Sequence, residues 1–428
     1  MAGVVLLVAF VIGYALVSKF LSTTPLTGPI LFTAFGLLAG PELLDVVTVE
    51  LSSEVVQLVL EVTLVVILFT DAAIIDVRAV AKNLFVPARL LTVGLVLTMA
   101  AGIGMSYVLF GDIGFWAAAV IAVVLSPTDA ALGQAVVTNE RVPQVIRQGL
   151  SVESGLNDGI VVPFLAIAVA GAAGEMQTLG GIATVFLEEI GVALIVGLAV
   201  GWIGGRLMVF SYERGWMTRE WRQVSVPLLA ALCFLIADPL HGSGFMAAFV
   251  GGLMFGHIVR ERYADICTFS EAIAYLMTML SFFLFGAVLL GSVVTAITWR
   301  VVVYALASLT VVRMVPVAAA LFGSKLAPPS VAYLGWFGPR GIASLVFVGT
   351  VVVQAEPEAC ATILTVVATT VALSVLLHGL SAWPLSNLYA NWYERSEESE
   401  DEMMEAIEPQ HIPVRSRVTV SQKGMRTR

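Results

Sequence analysis

Apolar stretches about twenty residues long recur along this chain from its start to about residue 382, and a helix of that length spans a bilayer. Only 12% of the residues are charged, whereas a soluble domain carries roughly 25%. The chain therefore lacks the polar surface that a soluble protein needs. Runs such as 192–200 do not alternate as the strands of a membrane barrel do. The sequence predicts an all-α polytopic membrane protein.

Charged and Gly/Pro-rich positions divide the apolar part into about thirteen predicted transmembrane helices. The spans are 2–18, 25–41, 55–75, 86–110, 113–137, 143–172, 179–205, 223–238, 242–258, 268–292, 300–321, 328–354 and 359–382. With the N-terminus outside, most Lys and Arg residues fall in the inner loops, which is the bias that sets orientation. We expect an integral protein of the cell (inner or plasma) membrane with a cytoplasmic C-terminus.

The chain becomes hydrophilic near Glu394, so we divide it into a membrane domain at 1–385 and a cytoplasmic tail at 386–428. The tail is rich in charged residues, and we expect it to be disordered or loosely attached. No basic patch interleaved with aromatic residues indicates nucleic-acid binding. The partner that the composition implies is the lipid bilayer.

Several ionisable residues fall well inside predicted spans: Asp129, Glu153, Asp158, Arg313 and Arg340. A charged side chain at that depth costs several kcal/mol unless it is paired or faces a water-filled cavity. Each of these residues is therefore a candidate functional residue. Two of them belong to the stretch SVESGLNDGIVVPF in the sixth span.

That stretch forms a polar wedge on an otherwise apolar helix. Residues four apart share a helix face, so Ser154 and Asp158 form one stripe and Glu153 and Asn157 form the adjacent one. Glycines beside the wedge allow another helix to approach closely. The pattern predicts a polar contact inside the protein.

The fifth and twelfth spans are both expected to be broken near their middle. Pro127 removes a backbone donor and disfavours a helical residue before it, so the fifth helix should break near 125–128. The sequence GWFGPRGIAS at 335–344 predicts a matching break in a span of opposite direction. Such a crossing pair indicates an inverted-repeat transporter fold with a site near the midplane. Arg340 would offset the negative ends of the half-helices.

Two carboxylates flanked by hydroxyl groups suit a small hard cation such as Na⁺, which prefers oxygen ligands. The same carboxylates bind protons, so Na⁺ and H⁺ would compete for one site. Competition combined with alternating exposure is sufficient for exchange. The expected Na⁺ ligands are Asp129, Asp158, Ser154 and Thr128, completed by backbone oxygen and water.

Other roles remain open for several of these residues. Glu153 would be either a third ligand or the partner of a buried arginine, with Arg313 the first candidate and Arg340 the second. Both arginines are expected to be structural counter-ions rather than ligands. Thr128 and Ser154 would alternatively bond to carbonyl groups of their own helices.

Three motifs together resemble the cation:proton antiporter-1 family, the NhaP-like sodium/proton antiporters: ESGLNDG at Glu153–Gly159, PTD at Pro127–Asp129 and GPRGIASLV at Gly338–Val346. The resemblance covers roughly residues 1–385. It implies a homodimer, with a mobile core that includes 86–172 and 268–382 and with the remaining helices at the dimer contact. It implies no cofactor besides the transported Na⁺ and H⁺.

The resemblance also implies which residues bind the ion: Thr128, Asp129, Glu153, Ser154 and Asp158. Asn157 stands where relatives that exchange electrogenically carry the first of two aspartates. The resemblance therefore implies electroneutral one-for-one exchange of Na⁺ (or Li⁺) for H⁺, an activity that serves pH homeostasis.

Rival interpretations make different predictions. A K⁺/H⁺ antiporter would share the fold and the ligand types. An intramembrane aspartyl protease also needs two membrane aspartates, but Asp129 and Asp158 stand in SPTDA and GLNDG rather than in a GxGD sequence. A passive channel would conduct net current when open, which an electroneutral exchanger does not.

Overall fold

The computed structural model of the chain describes residues 2–21, 24–47, 53–75, 85–111, 113–129, 132–174, 186–259, 266–354, 357–397 and 405. In these residues the regular secondary structure is entirely helical. Helices α1 to α13 are Ala2–Leu21, Gly28–Ala39, Glu54–Ile74, Phe85–Phe110, Phe115–Val124, Gln144–Ala172, Gly191–Glu213, Arg219–Ala237, Gly244–Val259, Thr268–Ala296, Trp299–Ala320, the pair Pro328–Trp336 (α12a) and Ile342–Gln354 (α12b), and Pro357–Glu397. One helical turn, Gln134–Val137, follows α5 after a break.

Each predicted span overlaps one of these helices or the α12 pair, although the seventh helix ends at Glu213 rather than at 205. The predicted polytopic all-α fold is confirmed. Nine helices in the described part of the chain are long and apolar enough to cross a membrane, and α2, α5 and α9 are shorter apolar helices. Both predicted breaks are present as well. The fifth helix ends at Val124, and the twelfth is interrupted between Trp336 and Ile342.

The last helix extends further than its predicted end at residue 382 and reaches Glu397. Tertiary packing explains the difference, because the extension lies against α12a. The ring of Tyr389 stacks on that of Tyr333 with centroids 4.3 Å apart, and the hydroxyl groups of Tyr333 and Ser386 lie 2.8 Å apart. The predicted end at 382 was set by the end of the apolar stretch, which does not register this packing. Of the predicted tail, the residues after Glu397 other than Glu405 lie outside the described part.

Helix α9 packs closely between α3 and α7 through a glycine-rich face. A Cβ atom on Gly252 would lie 2.3 Å from the carbonyl oxygen of Phe69, and one on Gly201 would lie 2.4 Å from that of Gly251. Only glycine permits such backbone approach. These three helices share a buried apolar cluster with α8 that includes Val196, Val226 and Phe255.

Arg141, in the segment that leads into α6, binds the end of α13. Its Nε lies 2.9 Å from Glu394 Oε1, its Nη2 donates to Glu394 Oε2 at 3.0 Å, and it also contacts Asn391. The hydrogen bond from Arg141 holds the pKa of the Glu394 carboxyl below its ordinary value. Both side chains are about half exposed, so salt screens the pair.

Glu405 docks on the start of α12a. Its side chain is 2% exposed, and its Oε1 accepts hydrogen bonds from the backbone N–H of Ala327 at 2.8 Å and from Ser330 Oγ at 2.6 Å. The Ser330 hydroxyl also lies 2.7 Å from the Tyr389 hydroxyl. A carboxylate at a helix N-terminus satisfies a backbone donor and complements the helix dipole. Glu405 therefore caps α12a from a distant part of the sequence.

We expect Glu405→Ala to lower the stability of the protein by about 1–2 kcal/mol, because a buried cap and its hydrogen bonds are lost. The readout is the midpoint of thermal unfolding in detergent. Glu140→Ala, which removes the same charge from an exposed side chain, is the matched control and should melt like the wild type. Equal melting of both variants would contradict the capping role.

Candidate ion-binding site

The breaks in α5 and α12 meet and satisfy each other's backbone groups. The backbone N–H of Asp129 donates to the carbonyl oxygen of Pro339 at 2.8 Å. The Ser344 hydroxyl donates to the carbonyl oxygen of Val124, the last residue of α5, at 2.7 Å. Irregular backbone at membrane depth is tolerated only where such partners are supplied. The crossing is therefore a single hydrogen-bonded unit.

Arg340 holds this unit together with a buried positive charge. Its side chain is fully buried, and its Nη1 donates to the carbonyl oxygens of Ser126 at 2.9 Å and Pro127 at 3.2 Å. Both carbonyls follow the C-terminus of α5, the negative end of that helix dipole. Arg340 thus sits where the sequence analysis expected a cation to offset half-helix ends.

Asp129 supplies the complementary negative charge. Its Oδ2 accepts a hydrogen bond from the backbone N–H of Ile342, at the start of α12b, at 2.8 Å, and its Oδ1 lies 3.4 Å from the Leu132 nitrogen. A Cβ on Gly341 would lie 1.8 Å from Asp129 Oδ2. Position 341 therefore requires glycine for the carboxylate to reach the helix end.

The polar wedge of α6 contacts the break in α5. Asn157 Nδ2 donates to Thr128 Oγ1 at 2.7 Å, and Thr128 Oγ1 lies 3.0 Å from Ser154 Oγ. All three side chains are buried. The two hydroxyl groups thus bond to each other across the helices. Asp158, 8% exposed, lies one helical turn after Ser154 on the same face.

Glu153 forms the ion pair with Arg313 that the sequence named first. Arg313 Nη1 lies 2.6 Å from Glu153 Oε1 and Nη2 lies 2.8 Å from Oε2, with both side chains nearly completely buried. This two-point geometry is the strongest that arginine and a carboxylate make. The arrangement is that of a structural counter-ion pair between α6 and α11.

The described residues contain no group of three or more His, Cys, Asp or Glu side chains placed to hold a metal ion. The predicted Na⁺ ligand set does not need such a group, because it combines carboxylates with hydroxyl and backbone oxygens. The structure brings Thr128, Ser154 and Asn157 together. Asp129 follows Thr128 directly in the sequence. It binds Glu153 to Arg313.

The sequence analysis missed two residues of α13 that contact the second break. Ser374 Oγ accepts a hydrogen bond from the backbone N–H of Arg340 at 2.7 Å, and His378 Nε2 lies 2.9 Å from the carbonyl oxygen of Trp336. The available signal was a serine and a histidine four residues apart on one face of an apolar helix. Because the predicted span ended at 382, His378 was placed at a span end rather than inside a longer helix.

Removal of one partner of the buried ion pair should be strongly destabilising. We expect Glu153→Gln and Arg313→Met each to lower stability by about 3–5 kcal/mol, because the other charge is left buried and unpaired. The double variant should recover much of this loss. Expression and thermal unfolding in detergent are the measurements, and additive losses in the double variant would argue against the pairing as the source of stability.

A solved structure shows the same fold. The sodium proton antiporter MjNhaP1 from Methanocaldococcus jannaschii at pH 8 superposes with a TM-score of 0.74 at 20% sequence identity, and the match covers 91% of this chain and 98% of that one. At this identity the likeness establishes the architecture alone. It supports the predicted all-α membrane fold.

Curated relatives match over shorter regions. The chain is 29% identical over 287 residues to the Na(+)/H(+) antiporter ApNhaP of Aphanothece halophytica, covering 63% of this chain and 51% of the relative. It is 33% identical over 165 residues to the uncharacterized Na(+)/H(+) exchanger YjcE of Escherichia coli (strain K12), covering 38% of this chain and 30% of the relative. The chain spans only about a third to a half of the length of these relatives.

The family match extends over nearly all of the membrane domain. The family described as sodium/hydrogen exchanger, transmembrane, matches residues 6–388, which include both broken helices and the polar wedge of α6. The resemblance drawn from the sequence motifs is therefore confirmed. The chain belongs to the sodium/hydrogen exchanger family, whose members are membrane transporters and not enzymes.

Proposed function

We propose that the protein exchanges Na⁺ (or Li⁺) for H⁺ across the membrane, with cation and proton competing for carboxylates at the crossing of α5 and α12. The observation that carries the proposal is the contact of Thr128 with Ser154 and Asn157. It joins the break in α5 to the polar wedge of α6, so oxygen atoms from two helices converge on one buried place. Family membership supports the same conclusion.

In this proposal Asp158 is the principal carboxylate of the ion site. It shares a helix face with Ser154, and the Ser154 hydroxyl already lies against that of Thr128. Carboxylate and hydroxyl oxygens are the ligands that a small hard cation prefers. Asp129 is the second carboxylate of the proposed set, because it follows Thr128 directly in the sequence and lies at the break in α5.

Glu153 has a supporting role in this assignment rather than a direct one. Both of its carboxylate oxygens are engaged by the Arg313 guanidinium, and a cation bound there would meet a strongly repulsive neighbour. The pair fixes α6 against α11 and so fixes the face that carries Ser154 and Asp158.

We infer a one-for-one stoichiometry from Asn157. An amide does not take up a proton, and its Nδ2 is committed to Thr128, so position 157 adds no second charge to the transported load. One proton leaving for each Na⁺ that binds moves no net charge. The same site would serve K⁺/H⁺ exchange in a wider cavity, which makes K⁺ the alternative substrate.

The setting proposed for this activity is the cell membrane, in a homodimer, with the N-terminus outside and the tail in the cytoplasm. The distribution of Lys and Arg along the sequence supports this orientation. Exchange of Na⁺ and H⁺ in this orientation would serve pH homeostasis.

Substitutions of the two aspartates should separate transport from stability. Asp158→Asn is expected to abolish exchange while the melting temperature stays near that of the wild type. Asp129→Asn is expected to abolish exchange and also to destabilise the protein by about 1 kcal/mol, because the charged contact at the start of α12b is weakened. Wild-type rates in either variant would refute the ligand set.

The two hydroxyl ligands should act on cation affinity. Ser154→Ala and Thr128→Ala are each expected to raise the KM for Na⁺ by about tenfold, the effect of losing roughly 1.4 kcal/mol of binding. Ser106→Ala, which removes a buried hydroxyl that bonds to Gly102 within α4, is the control and should leave the KM unchanged. An unchanged Na⁺ dependence would remove the two residues from the ligand set.

Reconstituted transport tests substrate and stoichiometry together. Proteoliposomes that contain a pH-sensitive dye are challenged in turn with Na⁺, Li⁺ and K⁺, with the membrane potential either free or clamped. We expect Na⁺ and Li⁺ to drive proton flux at a rate that does not change with the potential. A rate that follows the potential would exclude one-for-one exchange, and flux with K⁺ alone would favour the alternative substrate.

A further inference from the structure

Two side chains of α13 form a bridge to the break in α12. Ser374 binds the backbone N–H of Arg340 within the break, and His378 binds the carbonyl oxygen of Trp336, the last residue of α12a. The two side chains also contact each other, with 3.2 Å between Ser374 Oγ and His378 Nδ1. Both are buried.

The chemistry of the end groups orders the hydrogen bonds in this bridge. A carbonyl oxygen only accepts, so His378 Nε2 carries a hydrogen and donates it to Trp336. A backbone N–H only donates, so Ser374 Oγ accepts from Arg340. The serine hydroxyl then donates to Nδ1 of a neutral imidazole ring, and this nitrogen also lies 3.1 Å from the Ser374 carbonyl oxygen. Every polar atom of the bridge has a partner in this arrangement.

The bridge continues into the ion site through Arg340. The backbone of that residue is fixed by Ser374, and its guanidinium donates to the carbonyl oxygens of Ser126 and Pro127. Thr128 and Asp129 follow directly in the sequence. A shift of the Arg340 backbone would therefore displace the segment that supplies two of the proposed ligands.

Packing alone does not account for these residues. A buried serine and histidine cost free energy unless hydrogen-bonded, and apolar side chains of similar volume would fill the same space without that cost. Their polar atoms meet backbone groups at the end of α12a and within the break rather than the backbone of α13 alone.

We propose that Ser374 and His378 are positioning residues for ion exchange: they hold the break in α12 and, through Arg340, set the affinity of the ion site. The inference rests on the proposed function. It assigns a transport role to one face of α13, a helix that contributes no proposed ligand.

The test uses full-length protein in proteoliposomes and measures the KM for Na⁺ separately from the maximal rate. Ser374→Ala and His378→Leu break the bridge, and each is expected to raise the KM about fivefold, as a lost hydrogen bond of roughly 1 kcal/mol would. Ser374→Thr keeps the hydroxyl, and His378→Gln keeps a donor toward Trp336. Both should retain a KM near that of the wild type.

Two comparisons make the test specific. Ser381→Ala is the matched control, because Ser381 accepts a hydrogen bond from Trp336 Nε1 on the same pair of helices but does not contact Arg340. Its KM should not change. The KM of the double variant Ser374→Ala/His378→Leu should be no more than about twice the KM of either single variant, because both changes break the same bridge.

A purely structural role would lower the amount of folded protein or the maximal rate and leave the KM unchanged, and that result would overturn the inference. If His378→Leu does not fold, the Ser374→Ala and Ser374→Thr pair decides. Normal exchange in the wild type with normal KM values in all variants overturns the inference alone. A wild type without cation-driven proton flux overturns the proposed function and with it the inference.

Discussion

A backbone that leaves its helix inside a membrane must find new hydrogen-bond partners, and the structure is organised around that requirement. Two helices are broken at the same place, and each supplies what the other lacks. Asp129 meets the start of α12b, Arg340 meets the carbonyls after α5, and Ser344 meets the last carbonyl of α5. Backbone groups that the two breaks release thereby find partners within the protein.

This pairing of the two breaks explains why the candidate site lies where it does. The groups that repair the breaks leave the Thr128 hydroxyl at the crossing, and Ser154 of the α6 wedge contacts it there. The ion pair with Arg313 occupies Glu153 of the same helix. In the proposed function, structural support and ion binding are thus assigned to different acids of α6.

Much of this arrangement was predictable because it depends on local rules. Pro127 and the glycines around Arg340 predicted the two breaks, and four-residue spacing predicted that Ser154 and Asp158 share a face. The cost of an unpaired charge in the membrane made Arg313 the first candidate partner of Glu153 and Arg340 the second, and the structure shows the pair with Arg313.

The contacts made by α13 were not predictable from the sequence. Ser374 and His378 contact backbone groups of α12, and the sequence does not show which helix packs against the break in α12. The extension to Glu397 and the docking of Glu405 depend on tertiary packing against α12a, which no local pattern encodes.

Helix α13 is the longest helix in the described part of the chain. Its 41 residues form one helix, about 60 Å long at 1.5 Å per residue. Roughly 30 Å separates Ser374, at the break, from Glu394, where Arg141 is bound. The same helix therefore carries both the exposed contact with Arg141 and the buried contacts with the break in α12, and Pro384 lies between them. A proline inside a helix removes a backbone hydrogen bond, so the helix bends most easily between these two contacts.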